Sequence, residues 1–211
     1  DSYEFPLITG TESEYGIDFT TLRAKTGAVA YDPGYGNVGS CKSAITYIDG
    51  ENGVLRYRGY PIEELAESAS FTEVCHLLIY DHLPNRKELE EWRRKMTLYS
   101  FIHEDMKKFF EGFPTNAHPM VILSSMVASL SAYYPEDGHR NEIHENIARL
   151  LAKGKTIAAY SYKKSIGEPS MYPLTNLSYP ANFLRMMFAT PAEEYEVPDV
   201  LERALNLLLI V

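Results

Sequence analysis

The sequence predicts a mainly α-helical protein with a small β-rich leader at its N-terminus, and three observations support this fold class. Apolar residues recur at helical spacing almost throughout residues 61–211. Residues 1–60 instead carry short strand-forming runs that are separated by glycine and aspartate. The chain has 211 residues, of which 45% are apolar and 23% are charged, as is typical of a globular protein. We therefore divide it into a β-rich leader, 1–60, and a helical part, 61–211.

The leader contains three runs that favour strands. Phe5 to Ile8 and Ala28 to Tyr31 are short runs with β-like composition. Residues 44–58 predict a β-hairpin, because strand formers flank the segment 49–53, whose two glycines tolerate positive φ. Pro61 follows at a predicted helix start, where its missing N–H leaves no hydrogen bond unmade.

Helical periodicity predicts the elements of the second part. The predicted helices are Leu65 to Ala69, Phe71 to Tyr80, a segment that follows the N-cap Asn85 and ends near Leu98, a segment carrying Ile102 to Phe110, Pro119 to Tyr134, His139 to Lys153, Ile157 to Ile166, Tyr179 to Phe188, and a last helix from Pro198. The helix that begins at Pro119 has little charge and many small residues. This composition predicts burial on most sides and close helix approach, which makes this helix a candidate for self-association.

The chain stops at Val211 after a wholly apolar turn that begins at Leu207. Helices commonly end with glycine, asparagine or a basic residue, and this turn has none of them. The pattern favours a chain that ends within a helix of a longer protein. The alternative is a C-terminal helix whose end docks in its own core.

Charge and cysteine content argue against several classes of function. The net charge of −9 argues against a broad nucleic-acid-binding surface. The longest apolar runs fall short of the roughly 20 residues of a membrane span, and no signal-peptide pattern is visible. Cys41 and Cys75 lack a CxxC spacing, which argues against a metal site or a disulfide. We expect a cytoplasmic protein without a metal, a membrane or a nucleic acid as partner.

The residues alone identify no catalytic centre. His103 and Glu104 are adjacent on a predicted helix, so their side chains point about 100° apart. His76 fits the interior of an apolar helix, and His118 fits a capping role before Pro119. The sequence contains no GxSxG, GxGxxG or P-loop motif.

Two further pairs of side chains could bind a ligand. His139 and His144 are five residues apart, but no acidic ligand is clearly placed to make them a metal pair. Arg149 and Lys153 are four residues apart on a predicted helix, so they share a face and could hold a phosphate together. The alternative is that these two basic residues are solvated and pair with Glu145.

Segments along nearly the whole chain resemble, in order, those of the bacterial-type citrate synthases. They include Thr21-Leu-Arg-Ala-Lys-Thr-Gly27, Ile45-Thr-Tyr-Ile-Asp-Gly50, Tyr57-Arg-Gly-Tyr-Pro-Ile62, His118-Pro-Met120 and Thr190-Pro-Ala-Glu-Glu-Tyr-Glu196. The chain is similar to the N-terminal part of the large domain of that family, and its β-rich leader resembles the hexamer-forming branch.

This resemblance implies an activity and a set of partners. The family is an acyltransferase of the tricarboxylic acid cycle, which condenses acetyl-CoA with oxaloacetate to give citrate and CoA. It implies no cofactor, since acetyl-CoA is a substrate, and it implies a homodimer or hexamer. The family's catalytic groups correspond to positions after residue 211, so we assign no catalytic residue here and expect the 211-residue chain to be inactive alone. The alternatives are a 2-methylcitrate synthase, which uses propionyl-CoA, and a noncatalytic helical self-assembly module.

The resemblance also implies a regulatory site. Arg149, Lys153 and Tyr134 match residues at or near a nucleotide-contacting, allosteric site of the family. Relatives that NADH inhibits carry Arg-His-Thr-Met where this chain has Leu98-Tyr-Ser-Phe101, and a cysteine at the position of Ala192. Because leucine cannot replace arginine as a bidentate phosphate donor, we expect weak or absent inhibition by NADH.

Overall fold

The structure is a computed structural model and describes residues 2–134 and 142–211. Contacts between residues divide the chain into two compact units, Asp1–Ala44 and Ile45–Val211. The strands of the predicted hairpin therefore pair within the second unit.

The first unit contains a two-stranded antiparallel sheet and one short helix. Strand β1 (Leu7–Thr9) pairs with β2 (Tyr15–Ile17), and helix α1 (Leu22–Thr26) follows. The strand predicted around Phe5 to Ile8 is thus present with shifted ends. The strand predicted at Ala28 to Tyr31 is wrong, because no strand is assigned there in the described chain. A run of strand-forming residues becomes a strand only when another backbone pairs with it.

The second unit opens with the predicted hairpin. Strands β3 (Thr46–Asp49), β4 (Val54–Tyr57) and β5 (Tyr60–Pro61) form an antiparallel sheet in that order. The Asp49 carboxylate closes the turn between β3 and β4 by accepting two backbone N–H groups of the turn, at 3.0 and 3.1 Å. Gly53 supplies the positive φ of 68° that the turn requires.

Eight helices of the described chain complete this unit. They are α2 (Ile62–Ser68), α3 (Phe71–Tyr80), α4 (Arg86–Tyr99), α5 (Met106–Gly112), α6 (Pro119–Tyr133), α7 (Glu142–Ile166), α8 (Tyr179–Phe188) and α9 (Asp199–Ile210). Helices α3 and α8 have the predicted ends, and α4 begins after Asn85 as predicted. Asn85 caps α4 with its side-chain oxygen, which accepts two backbone N–H groups. No described helix has the combination of length and apolarity that crossing a bilayer demands.

Helix α7 is one continuous element of 25 residues, so the predicted break between Lys153 and Ile157 is wrong. Gly154 lies inside the helix, where it costs about 1 kcal/mol relative to alanine. Packing on both sides of the glycine offsets this cost, since Ala152 and Ile157 are both fully buried. His139, the predicted start of this helix, lies outside the described residues.

The core of the second unit surrounds α7. This helix contacts α4, α5, α6 and α8. Its buried alanines, Ala148, Ala152 and Ala159, allow neighbouring helices to approach closely. The largest cluster of buried residues comprises Ile102, Met106, Phe110, Ile122, Met126, Leu130, Ile157, Ala159, Tyr160 and Met186.

Helix α6 is not buried on most sides, contrary to the sequence prediction. Ile122, Met126 and Leu130 are buried and lie four residues apart, so they form one stripe in the core. On the same helix Met120 is 60% exposed and Val121 is 57% exposed. The small and apolar composition therefore leaves an apolar face of α6 open.

Candidate functional site

The three residues of the predicted nucleotide site lie together in the structure. Arg149 and Lys153 occupy successive turns of α7, and Tyr134 ends α6, with its N–H donating to the Leu130 carbonyl at 3.0 Å. The Arg149 guanidinium lies 5.3 Å from the centre of the Tyr134 ring, and the Lys153 ammonium lies 5.0 Å from it. The i, i+4 spacing predicted from sequence thus places both cations against one aromatic ring.

Lys153 is directed into the protein. The residue is only 3% exposed, and its ammonium donates to the backbone carbonyls of Tyr99, at 2.9 Å, and Phe101. The hydroxyl of Thr156, one turn further on, donates to the carbonyl of Ser100 at 2.7 Å. Helix α7 therefore supplies side-chain donors for three consecutive carbonyls at the end of α4, where a helix leaves its carbonyls without intrahelical partners.

Tyr99, which lies in the segment Leu98-Tyr-Ser-Phe101 that replaces Arg-His-Thr-Met of the NADH-inhibited relatives, belongs to the same cluster. The Arg149 guanidinium lies 5.5 Å from the centre of its ring. The Tyr99 hydroxyl donates to the Glu145 carboxylate at 2.6 Å, and Lys95 forms an ion pair with the same carboxylate. The alternative interpretation, in which solvated Arg149 and Lys153 pair with Glu145, is wrong for Lys153, which is buried. Together with the hydrogen bonds from Lys95 and Tyr99, however, the charge of Arg149 does lower the pKa of the Glu145 carboxyl.

These contacts shift the pKa values of the groups around Glu145. Hydrogen bonds from Lys95 and then Tyr99 lower the pKa of the Glu145 carboxyl, because they favour its charged form. The hydrogen bond to Glu145 raises the pKa of Lys95, and it also raises the pKa of the Tyr99 hydroxyl. The cluster at neutral pH is therefore a charged network that joins α4 to α7.

The two basic residues of the predicted pair differ in their hydrogen bonds. The ammonium of Lys153 already donates to two carbonyls, whereas the half-buried Arg149 guanidinium donates one bond of 3.0 Å to Asn146 within the described contacts. A guanidinium carries five N–H donors. Within the described contacts, most of the Arg149 donors thus have no hydrogen-bond acceptor.

A second feature of this unit is a cavity of about 860 Å³ between α2, α3, α4, α8 and α9. Charged and aromatic residues on its wall include Glu73, Arg93, Lys155, Tyr179, Glu202 and Arg203. Lys155 is only 7% exposed, and its ammonium lies 4.4 Å from the centre of the Tyr179 ring. Burial lowers the pKa of Lys155 from 10.5 to about 8, because the charged form loses its water.

The described histidines hold structural positions. His118 accepts the backbone N–H of Met120 at 3.2 Å, so the predicted capping role is confirmed. His76 is 6% exposed and its Nδ1 lies 3.0 Å from the carbonyl oxygen of His82, which confirms a satisfied core histidine. The His103 ring tilts against Tyr133 with centroids 5.0 Å apart. Among the described residues, one set of histidine and carboxylate groups lies close enough to hold a metal ion: His76, His82 and Glu88.

Comparisons with known proteins agree on one family. Residues 34–211 match the family model described as citrate synthase, C-terminal domain. The chain is 48% identical over 213 residues to citrate synthase 1 of Mycobacterium tuberculosis, an alignment that covers 99% of this chain and 49% of that protein. The chain thus spans about half the length of the curated relatives it matches.

Solved structures give the same result. The fold matches the crystal structure of citrate synthase from Thermotoga maritima with a TM-score of 0.72 and 33% identity, over 86% of this chain and 46% of that one. The enzyme from Pyrobaculum aerophilum matches with a TM-score of 0.72 and 32% identity, over 88% and 49% of the two chains. The citrate synthase from Thermoplasma acidophilum, solved as a ternary complex with carboxymethyl coenzyme A and oxaloacetate, shares the fold at 23% identity and a TM-score of 0.75, over 82% and 45%.

Proposed function

The chain belongs to the citrate synthase family, and we propose that the protein condenses acetyl-CoA with oxaloacetate to give citrate and CoA. The observation that carries this proposal is the 48% identity to citrate synthase 1 of Mycobacterium tuberculosis across 99% of the chain. The reaction removes a weakly acidic proton from the acetyl methyl group, so a base and a hydrogen-bond donor must act together. Acetyl-CoA is consumed as a substrate, and the proposed reaction needs no separate cofactor.

We propose further that residues 1–211 provide scaffold and that other residues of the enzyme perform the chemistry. The support is the engagement of the described histidines in structural contacts: His118 caps α6, and His76 is packed in the core. His103 is adjacent to Tyr133 and its Nδ1 lies 3.6 Å from an Asp105 oxygen, at the surface. The 211-residue chain alone should therefore form no citrate.

Release of the CoA thiol, measured with and without oxaloacetate, tests both statements. We expect the product of the complete gene to release thiol only when oxaloacetate is present, and faster with acetyl-CoA than with propionyl-CoA. A preference for propionyl-CoA would identify a 2-methylcitrate synthase instead. No release with either thioester would favour the noncatalytic assembly module, and citrate formation by residues 1–211 alone would contradict the scaffold assignment.

We propose that the protein assembles as a homodimer or hexamer and that α6 lies in a contact between subunits. The open apolar face of α6 supports this, since Met120 and Val121 are more than half exposed. Light scattering after size-exclusion chromatography tests the assignment. Val121→Asp should lower the mass to that of a smaller assembly, whereas Val29→Asp, at a 65% exposed position in the other unit, should leave it unchanged. An unchanged mass for Val121→Asp would contradict the role of α6.

We propose that NADH inhibits this enzyme weakly or not at all. Lys153, one of the two basic residues that match the family's nucleotide site, already donates to two backbone carbonyls. Leu98, at a position where the inhibited relatives carry the Arg-His-Thr-Met segment, is 56% exposed and offers no donor to a phosphate. Inhibition of citrate formation by low micromolar NADH would refute this proposal.

We also propose a cytoplasmic location, which the two free thiols, Cys41 and Cys75, support.

A further inference from the structure

Three metal-ligand side chains converge where α3 ends and α4 begins. His76 lies in α3, His82 lies in the connection, and Glu88 lies in the first turn of α4. One ligand atom from each residue lies within 4.8 Å of the other two. His82 Nε2 and a Glu88 oxygen are 3.4 Å apart.

Backbone carbonyls orient both imidazole rings. His76 Nδ1 lies 3.0 Å from the His82 carbonyl oxygen, and His82 Nδ1 lies 2.8 Å from the Tyr80 carbonyl oxygen. Because a carbonyl oxygen only accepts, each Nδ1 is a donor, which leaves Nε2 as the ring nitrogen that would bind a metal ion in place of a proton. Histidines that bind metals are oriented in this way, with the second ring nitrogen donating to a carbonyl or carboxylate.

A backbone N–H orients the carboxylate as well. Glu88 accepts the backbone N–H of Asn85 at 2.8 Å, as part of the capping box that begins α4. A glutamate carboxyl is ionised at neutral pH, so Glu88 offers a negatively charged oxygen ligand. A carboxylate has about four lone-pair sites, so the cap leaves others for a cation.

We propose that His76, His82 and Glu88 bind one divalent transition-metal ion of the zinc class, with water completing the coordination. Two imidazoles and a carboxylate suit zinc, which binds nitrogen and oxygen ligands at about 2.0–2.2 Å. The present separations close to that geometry by side-chain rotation, since the side chains of His82 and Glu88 are 55% and 38% exposed. The bound ion would join the end of α3 to the start of α4.

Calorimetric titration of the purified protein with zinc chloride tests the proposal. We expect one zinc ion per chain, and binding weakened at least about tenfold in His82→Ala and in Glu88→Gln. Glutamine at this position keeps the capping box, so Glu88→Gln removes the ligand charge while leaving the helix start intact. His103→Ala, which removes an exposed histidine outside the cluster, is the matched control and should bind zinc as the unchanged protein does.

The single tryptophan provides a local readout of the same site. Trp92 packs edge-on against His76, with ring centroids 6.1 Å apart. Cobalt(II) bound at the cluster should quench Trp92 fluorescence to saturation in the unchanged protein and in His103→Ala, but not in His82→Ala. The absence of saturable zinc binding, or equal binding and quenching in His82→Ala and the unchanged protein, would overturn the proposal.

Discussion

Replacing Lys155 with methionine should stabilise the protein at neutral pH. The side chain is 7% exposed, and burial lowers its pKa from 10.5 to about 8. Each pKa unit corresponds to about 1.4 kcal/mol, so keeping the ammonium charged inside the protein costs about 3 kcal/mol. The attraction to the Tyr179 ring, 4.4 Å away, returns about 1 kcal/mol. Lys155→Met should therefore raise the free energy of unfolding by about 2 kcal/mol at pH 7.

The sign of the pH dependence follows from the lowered pKa. Between pH 8 and 10.5 the unfolded chain still binds the Lys155 proton while the folded chain has released it. The stability of the unchanged protein therefore rises with pH across this window, and the full cost is present below pH 8. The advantage of Lys155→Met should shrink as the pH rises through the same range.

Urea unfolding followed by Trp92 fluorescence at several pH values from 6 to 10 measures this difference. Lys153→Met is the informative control, because Lys153 is also buried on α7 but donates to the carbonyls of Tyr99 and Phe101. That variant should lose about 2 kcal/mol. The reasoning is refuted if Lys155→Met is less stable than the unchanged protein at pH 7, or if its advantage does not depend on pH.

Three further substitutions test the contacts that hold the helices together. Asn206→Ala should lower the free energy of unfolding by about 1–2 kcal/mol, because the Asn206 amide accepts from the Phe71 N–H and donates to the Ala69 carbonyl; an unchanged thermal midpoint would contradict this. Asn85→Ala should lower the free energy of unfolding in urea by about 1 kcal/mol through loss of the α4 cap, whereas Asn85→Asp should retain most of the stability that the cap contributes. Met186→Ala should lower the free energy of unfolding by about 2–5 kcal/mol, since the side chain is fully buried in the largest cluster. Calorimetric unfolding measures this loss, which would be smaller if neighbouring side chains collapsed into the cavity.

The helices that the sequence predicted best carry strong local signals. The start of α3 follows Ser70, whose hydroxyl and the Glu73 carboxylate form a reciprocal capping box. The start of α4 follows Asn85 in the same way. Each capping box involves only four consecutive residues, so the amino-acid sequence alone is enough to predict it.

The elements that the sequence missed or divided depend on distant contacts. Helix α1 has no buried residue, so it has no apolar stripe to detect. Strand β2 is exposed along its whole length and is defined only by its pairing with β1. The continuity of α7 through Gly154 depends on helices that pack on both sides of it. In each case the deciding interaction is not contained in the local sequence.

The candidate sites likewise combine features that local spacing predicts with features that depend on distant parts of the chain. The spacing of Arg149 and Lys153 predicted their shared face, but the burial of Lys153 depends on the end of α4, more than 50 residues earlier. His76 and Glu88 are 12 residues apart, and they meet because α3 and α4 contact each other beside their connection. Sequence spacing along a helix is informative, whereas spacing across a turn is not.

The central position of α7 has a consequence for the dynamics of this unit. An amide proton exchanges with solvent when the structure around it opens, and a helix covered by several neighbours opens only when most of them separate. The amides near Thr156 and Tyr160, both almost fully buried, should therefore exchange only through global unfolding. Those of β1 and β2, where no residue is buried, should exchange through local opening. Amide exchange near Thr156 and Tyr160 would thus measure the free energy of global unfolding, whereas exchange in β1 and β2 would measure local opening of the same chain.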